Sequence, residues 1–228
     1  MIETLRHCSC RSVFSRNRTG EDMTFRMMAV IVGIALGCVT SAKAEPVQDL
    51  MNPAVFQDSF VGEKTAPVTL VVYSSPTCSH CIDFHERDLP KLHDTYVASG
   101  KLKIAYRPFV RNSVDAVIFM LANARGRDKF DETVSSFMTK FDEIAGAANA
   151  EDALREIAAS MGIDRAGFDR AVADQAYLDK LNAATTEANK KFGVAGTPSF
   201  FVNGHQVRIE MSFNEVAKAV MKATASLE

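Results

Sequence analysis

The chain has 228 residues, with 26 Lys or Arg and 28 Asp or Glu, so its formal net charge is −2. A balanced composition without a basic patch excludes the electrostatic pattern of a protein that binds nucleic acid or anionic lipid. The length is enough for one domain with a hydrophobic core, or for a small domain that carries an insertion.

Residues 1–44 have the pattern of a secretory signal peptide. An apolar stretch of 14 residues, Met27–Thr40, follows Arg26, and Ala42-Lys43-Ala44 has the small residues of a cleavage site. A bilayer span would need about 20 apolar residues. We therefore expect a leader that is removed on export and a mature protein that does not span the membrane. Translation starting at Met23 would give a leader of more usual length.

Residues 45–66 predict a mostly extended N-terminal lead-in, because they are mixed in character and too few to form a core of their own. The next segment, Val68–Tyr73, is a continuous apolar and β-branched run between Pro67 and Ser74-Ser75-Pro76. Such a run is typical of a strand that is covered on both faces.

Cys78 and Cys81, spaced as C-S-H-C, follow this strand directly. The other three cysteines, Cys8, Cys10 and Cys38, lie in the expected leader, so the mature chain has one possible disulfide. Two thiols at this spacing can close a disulfide reversibly, which predicts a redox-active pair that needs neither a metal nor a cofactor. A zinc site would need two further ligands at comparable spacing, and no cysteine follows Cys81. A zinc knuckle and an inert pair of buried thiols remain the alternatives.

A helix is predicted from the cysteine pair to about Gly100. Apolar and aromatic residues recur there at helical spacing, together with one histidine: Ile82, His85, Leu89, Leu92 and Tyr96. Pro90 lies inside this helix and should kink it. Leu102–Arg107 alternates apolar and polar residues before Pro108, as a second strand would. Strand, helix and strand in this order give a right-handed crossover between parallel strands.

Residues 112–192 have almost no strand pattern. They contain several amphipathic stripes, among them Val114, Val117, Ile118 and Leu121, and then Phe130, Val134, Phe137, Met138 and Phe141. Stripes of this kind are mostly core positions. We therefore expect an inserted set of helices that packs over the rest of the domain.

Beyond the helices, Ser199–Val202 and Gln206–Ile209 flank Asn203-Gly204, which is a strong signal for a tight hairpin. Ser212 and Glu215 form a capping box at the start of a closing helix. The hairpin and this helix make a second unit, far in sequence from the first strand–helix–strand unit.

Together these elements predict an α/β protein with a thioredoxin-like fold and an inserted α-helical domain. The thioredoxin-like domain would combine residues 67–111 and 193–228, and the helical insertion would be residues 112–192. A parallel βαβ unit joined to a ββα unit is the plan of that fold.

Four segments within residues 64–228 carry a resemblance to a known family: Ala66-Pro67-Val68-Thr69, Cys78-Ser79-His80-Cys81, Tyr106-Arg107-Pro108 and Gly196-Thr197-Pro198-Ser199-Phe200-Phe201-Val202-Asn203-Gly204. On these segments the chain resembles the DsbA family of exported thiol:disulfide oxidoreductases, especially the branch related to BdbD. The best-known members have proline as the first residue between the cysteines. Because Ser79 stands there in this chain, their redox potential is not carried over.

The resemblance implies a periplasmic enzyme that introduces disulfide bonds into unfolded or newly exported cysteine-containing proteins through Cys78 and Cys81. It also implies a membrane quinone reductase of the DsbB type as the partner that reoxidises the enzyme. Finally, it implies a cis bond between Thr197 and Pro198 beside the cysteines, where the Thr197 backbone would pair with an extended substrate peptide.

The positions of the thiols in the expected helix assign their roles. Cys78 lies at the first turn, where free N–H groups and the helix dipole favour an anion, and His80 can add a charge or a hydrogen bond. Cys81 lies one turn further on and should be more buried and less acidic. We expect Cys78 to be the nucleophile, Cys81 the resolving thiol and His80 a catalytic group that stabilises the Cys78 thiolate. His85 and Glu86 could relay a proton to Cys81, but such polar residues are mostly solvated and are left out of the site.

Other functions remain open. A disulfide isomerase or reductase would work from the dithiol form; the threonine before Pro198 is compatible with it, although the lead-in is too short for a dimerisation domain. A non-catalytic peptide-binding chaperone would use the groove beside Pro198, with the thiols incidental. Metal capture by the reduced thiols together with His80 is a minor further alternative.

Overall fold

The structure is a computed structural model that describes residues 46–207 and 213–226. The expected leader, residues 1–44, lies outside this range, as do Ile209 of the expected hairpin and Ser212 of the expected capping box. The described residues belong to one compact unit. None of the helices within them combines the length and the apolar character that a bilayer span requires.

A five-stranded mixed sheet lies at the centre of the fold, in the order β1-β3-β2-β4-β5. The strands are β1 (Phe60–Val61), β2 (Val68–Ser74), β3 (Leu102–Pro108), β4 (Ser199–Val202) and β5 (His205–Val207). β2 pairs in parallel with β3 and antiparallel with β4, so that Tyr73 lies opposite both Arg107 and Ser199. The predicted parallel pair and the predicted hairpin are confirmed, and the second hairpin strand begins one residue earlier than expected.

Strand β2 is buried on both faces, as its continuous apolar sequence predicts. Alternate side chains of a strand point to opposite faces of the sheet. Leu70 and Val72 pack in a core cluster with Leu92, whereas Val71 packs on the other face in a cluster with Phe192. Helices therefore cover both sides of the strand that leads to the cysteine pair.

The helical segment after the cysteines runs from residue 79 to residue 97. It comprises α1 (Ser79–Asp83), a π-type turn at Phe84–Asp88, α2 (Leu89–Leu92) and a second π-type turn at His93–Val97. Pro90 lies in α2, so the interruption expected there takes the form of widened turns on both sides of the proline.

The chain between β3 and β4 is helical. It contains α3 (Ser113–Ala124), a 3-10 turn at Arg127–Lys129, α4 (Phe130–Thr139), α5 (Phe141–Gly146), α6 (Ala150–Ser160), α7 (Arg165–Val172) and α8 (Gln175–Phe192). Ile118, Phe137 and Ile157 form part of a core cluster within this helical segment. The closing helix, α9 (Phe213–Ala225), packs on the sheet through Val216 and Val220. The predicted fold class, thioredoxin-like with inserted helices, is confirmed.

The lead-in, which was predicted to be mostly extended, forms a strand of the sheet and part of the hydrophobic core. Strand β1 adds an antiparallel edge to β3, with Phe60 opposite Ala105. Leu50 is fully buried in the same core cluster as Val71. The lead-in therefore belongs to the core of the sheet.

Candidate active site

Cys78 and Cys81 lie where β2 ends and the helical segment begins. Cys78 is the N-cap residue of α1, with an extended backbone, and its N–H donates to the carbonyl of Ser75 at 3.2 Å. Cys81 follows one turn later and is 1% exposed, against 6% for Cys78. Both are free thiols in this structure. The predicted placement of the pair, with Cys81 the more buried thiol, is confirmed.

The two thiols differ strongly in acidity. A hydrogen bond from the Cys81 thiol outweighs the opposing effect of burial and, with a hydrogen bond from the Thr197 side chain, lowers the pKa of Cys78 to about 5. The same hydrogen bond raises the pKa of Cys81 well above its ordinary value, and burial of the Cys81 thiol is the second largest cause of this rise. At neutral pH the pair therefore holds one thiolate, on Cys78, and one thiol, on Cys81.

Thr197 and Pro198 lie beside Cys78, although they are far from it in sequence. The Cys78 sulfur is 3.2 Å from the carbonyl oxygen of Thr197, to which only its protonated form can donate. The bond between Thr197 and Pro198 is cis, as the resemblance implies. The sheet brings the two segments together, because β2 and β4 are antiparallel neighbours and the end of one meets the start of the other.

A groove of about 610 Å³ opens at Cys78. Thr197 forms one part of its wall, and His80, Arg111 and Phe141 form others. His80 and Arg111 are exposed, whereas Thr197 is half-buried. The groove is therefore lined by a sulfur atom, a cation and an aromatic side chain.

Arg111 was missed by the sequence reasoning. Its positive charge is among the causes that lower the pKa of Cys78, after the hydrogen bonds that dominate. His80 lies in the same groove, and no hydrogen bond joins it to Cys78 in the part of the chain that the structure describes. One signal was present: Arg111 follows β3, which was predicted to be parallel to β2, and the carboxyl ends of parallel neighbours meet at one edge of a sheet.

Asp115, in the first turn of α3, is a second residue that the sequence reasoning missed. Its carboxylate is fully buried. The Ser75 hydroxyl lies 2.9 Å from both of its oxygens. Oδ1 also accepts from the N–H and hydroxyl of Thr77, at 3.1 and 2.8 Å, and Oδ2 accepts from the Arg111 N–H at 2.8 Å. The residues before Cys78 and the residues before α3 are thus held by one side chain.

A small cavity of about 50 Å³ lies on the other side of Cys81. His85, Tyr106 and Asp131 line it, with apolar side chains between them. Burial lowers the pKa of His85 and raises the pKa values of Tyr106 and Asp131, so all three favour their neutral forms. His85 Nδ1 and the Tyr106 hydroxyl are buried without a hydrogen-bond partner among the described residues.

A C-x-x-C pair at the end of a central strand, with a cis-proline segment beside it, defines a thioredoxin-fold protein of the thiol–disulfide type. The family model described as thioredoxin matches residues 55–222. The chain therefore belongs to the thioredoxin family.

Its relatives place it near DsbA and BdbD proteins. A protein of Rickettsia bellii, named as a protein-disulfide oxidoreductase, is 29% identical over 173 residues, which cover 73% of this chain and 64% of the relative. The chain thus spans less than two thirds of that relative's length. A crystal structure of a protein-disulfide isomerase from Novosphingobium aromaticivorans matches with a TM-score of 0.66 at 25% identity, over 73% of this chain and 97% of the other.

The structure of oxidised BdbD from Bacillus subtilis matches with a TM-score of 0.59 over 80% of this chain and 97% of that chain. Its identity of 15% shows the shared fold alone. The resemblance to DsbA and BdbD proteins that the motifs carry is confirmed.

Proposed function

We propose that the protein is an exported thiol:disulfide oxidoreductase that donates the Cys78–Cys81 disulfide to unfolded or newly exported cysteine-containing proteins in the periplasm. The observation that carries this proposal is the unequal acidity of the two thiols. A thiolate stabilised on Cys78, with a pKa of about 5, stabilises the reduced enzyme. Because the reduced form is stabilised, the disulfide form of the enzyme is a stronger oxidant than an ordinary protein disulfide.

In the proposed reaction a substrate thiolate attacks the sulfur of Cys78 in the enzyme disulfide. The bond between Cys78 and Cys81 breaks, and Cys81 leaves as a thiolate that takes up a proton. A second substrate thiolate then attacks the substrate sulfur of the mixed disulfide, and Cys78 leaves as its stabilised thiolate. Two electrons pass from the substrate to the enzyme, which becomes the dithiol.

The groove beside Cys78 supports a role for Thr197 and Pro198 in binding the substrate. An extended peptide that pairs with the Thr197 backbone would bring its cysteine to Cys78. We assign His80 to stabilisation of the Cys78 thiolate, because it lies exposed in the same groove. His80→Gln should then raise the pKa of Cys78, while Ser79→Ala, one residue away, should leave it unchanged. Equal pKa values in both variants and in the wild-type protein would remove His80 from the site.

The leader pattern in residues 1–44 supports export. The resemblance to DsbA proteins supports a membrane quinone reductase of the DsbB type as the partner that reoxidises the dithiol. A fusion of residues 1–44 to a reporter that acts only outside the cytoplasm tests the first point. Failure of the reporter to be exported would contradict it.

The deciding experiment is the equilibrium of the protein with reduced and oxidised glutathione, measured together with the oxidation of a reduced, unfolded substrate protein. We expect a strongly oxidising couple and rapid formation of substrate disulfides, both abolished in Cys78→Ala. If the protein were instead a non-catalytic peptide-binding chaperone, the Cys78→Ala variant would keep its function in cells.

A disulfide isomerase or reductase is the second candidate. It is favoured by one observation, the match to a protein-disulfide isomerase from Novosphingobium aromaticivorans at 25% identity. Such an enzyme would show a reducing glutathione equilibrium and activity on a substrate with scrambled disulfides. A reducing couple with that activity would replace the oxidase proposal.

A further inference from the structure

We propose that Asp115 is a positioning residue for the Cys78 thiolate. Its carboxylate holds the loop before Cys78 in a fixed position relative to the loop that carries Arg111. This inference rests on the proposed function, because it concerns the reactivity of Cys78. It adds a residue that is not part of the C-x-x-C or cis-proline motifs.

The two carboxylate oxygens of Asp115 serve two different segments. Oδ1 accepts from the N–H of Thr77 at 3.1 Å and from its hydroxyl at 2.8 Å, directly before the nucleophile. Oδ2 accepts from the N–H of Arg111 at 2.8 Å. The Ser75 hydroxyl lies 2.9 Å from each oxygen and so ties both halves of the carboxylate to the same loop.

Neutral donors alone hold this carboxylate. Asp115 is fully buried, and among the described residues no ion pair joins it to a cation. A buried carboxylate without a counter-ion is costly unless hydrogen bonds replace its hydration. Its own N–H is taken by Asn112 Oδ1 at 3.0 Å, so the side chain sits on a capped helix end that also favours an anion. These contacts fix the position of the carboxylate in the fold.

The consequence for Cys78 follows from the next contact along the chain. Ser75, held by Asp115 through its hydroxyl, accepts the Cys78 N–H through its carbonyl at 3.2 Å. Thr77 and Arg111, the other two residues held by Asp115, line the groove with Cys78. Loss of these contacts would therefore allow the nucleophile and the nearby cation to move independently of each other.

The sign of the effect separates positioning from simple charge. A carboxylate near a thiolate disfavours that thiolate, so the loss of the Asp115 charge by itself would lower the pKa of Cys78. Loss of the positioning contacts acts in the opposite direction, because it loosens the hydrogen-bonded arrangement and the cation that keep the pKa of Cys78 at about 5. A residue with a purely structural role would change the free energy of unfolding and leave the pKa of Cys78 where it is.

The test is Asp115→Asn, which keeps the size of the side chain but replaces one acceptor oxygen by a donor NH₂ group. One of the two loops then faces a donor instead of an acceptor. We expect the pKa of Cys78, measured by thiolate absorbance or by the rate of alkylation against pH, to rise by about one unit. The thiolate fraction at pH 5 would fall about fivefold. The matched control is Asp164→Asn at the N-cap of α7, where the carboxylate accepts from the Gly167 N–H at 2.7 Å; it makes the same replacement outside the groove at Cys78 and should leave the pKa of Cys78 unchanged.

If Asp115→Asn does not fold, Thr77→Val and Ser75→Ala carry the test, since each removes one hydroxyl from the carboxylate. Each should raise the pKa of Cys78 by a smaller amount. An unchanged or lower pKa of Cys78 in the folded variants overturns this inference alone. A wild-type Cys78 that titrates like a free cysteine overturns the proposed function and this inference with it.

Discussion

Arg107 and Asp58 face each other through two parallel hydrogen bonds, from Nε to Oδ1 at 2.8 Å and from Nη2 to Oδ2 at 2.7 Å. Their side chains are only 5% and 6% exposed. The same guanidinium donates to the Tyr73 hydroxyl at 2.8 Å and to the Leu50 carbonyl at 2.7 Å. This arrangement joins the lead-in to β2 and β3, the two strands whose ends carry the site.

Asp58→Asn should therefore destabilise the protein by about 3 kcal/mol, because Arg107 would remain buried without its counter-ion. Urea unfolding measures the change. Asp83→Asn is the control, since Asp83 and Arg87 form a pair whose side chains are 52% and 67% exposed. Its loss should cost less than about 1 kcal/mol. Equal losses in the two variants would contradict the importance of the buried pair.

The hydrogen bond between the thiols is the largest cause of the low pKa of Cys78. Cys81→Ala removes that donor and should raise the pKa of Cys78 by about one to two units. Cys81→Ser keeps an O–H group that can donate and should raise it by less. Titration of the remaining thiol by ultraviolet absorbance tests this order, and identical pKa values in the two variants would contradict it.

The stability of the reduced protein should depend on pH through Cys78. Its folded pKa of about 5 lies below the ordinary value of a cysteine, so the folded state favours the thiolate. This contribution is complete above about pH 8.5 and is lost as the pH falls to about 5, with a slope of up to about 1.4 kcal/mol per pH unit. The raised pKa of Cys81 keeps that thiol neutral over the same range.

The disulfide form provides the control for this pH dependence, because it has no thiol to titrate. The free energy of unfolding of the reduced protein, minus that of the oxidised protein, should increase between pH 5 and about pH 8.5. Parallel pH profiles for the two forms would show that the Cys78 thiolate does not stabilise the fold.

Tyr106→Phe should increase stability by about 1 kcal/mol, because the Tyr106 hydroxyl is buried without a partner among the described residues. Tyr73→Phe is a control with the opposite expected sign, since it deprives Arg107 of a buried hydrogen bond of 2.8 Å. Thermal unfolding of both variants measures the two effects. A loss of stability in Tyr106→Phe would indicate that the hydroxyl is satisfied in solution.

The sequence was sufficient to predict the strands around the cysteines and the hairpin after Pro198. Each of these rests on a local pattern, such as the continuous apolar run in Val68–Tyr73 or the turn at Asn203-Gly204. The cis bond before Pro198 came from the family motif, because composition alone favours a trans bond.

Asp115, Arg111 and Asp58 could not be assigned in the same way. Ser75 and Thr77, which donate hydrogen bonds to Asp115, precede it by 40 and 38 residues in the sequence. Asp58 lies 49 residues before Arg107. An acidic residue in the first turn of a helix has a sufficient local explanation, since it favours the helix dipole. The predicted parallel strands place Arg111 at the edge with Cys78, but the contacts of Asp115 with Thr77 and of Asp58 with Arg107 are seen only in the structure.

The contact between Cys78 and Thr197 also has a consequence for the stage at which the groove is complete. Thr197 is synthesised 119 residues after Cys78. A chain that has not yet paired β4 with β2 lacks this neighbour and the groove wall it provides. The complete groove therefore exists only in a chain whose C-terminal strands have already joined the sheet.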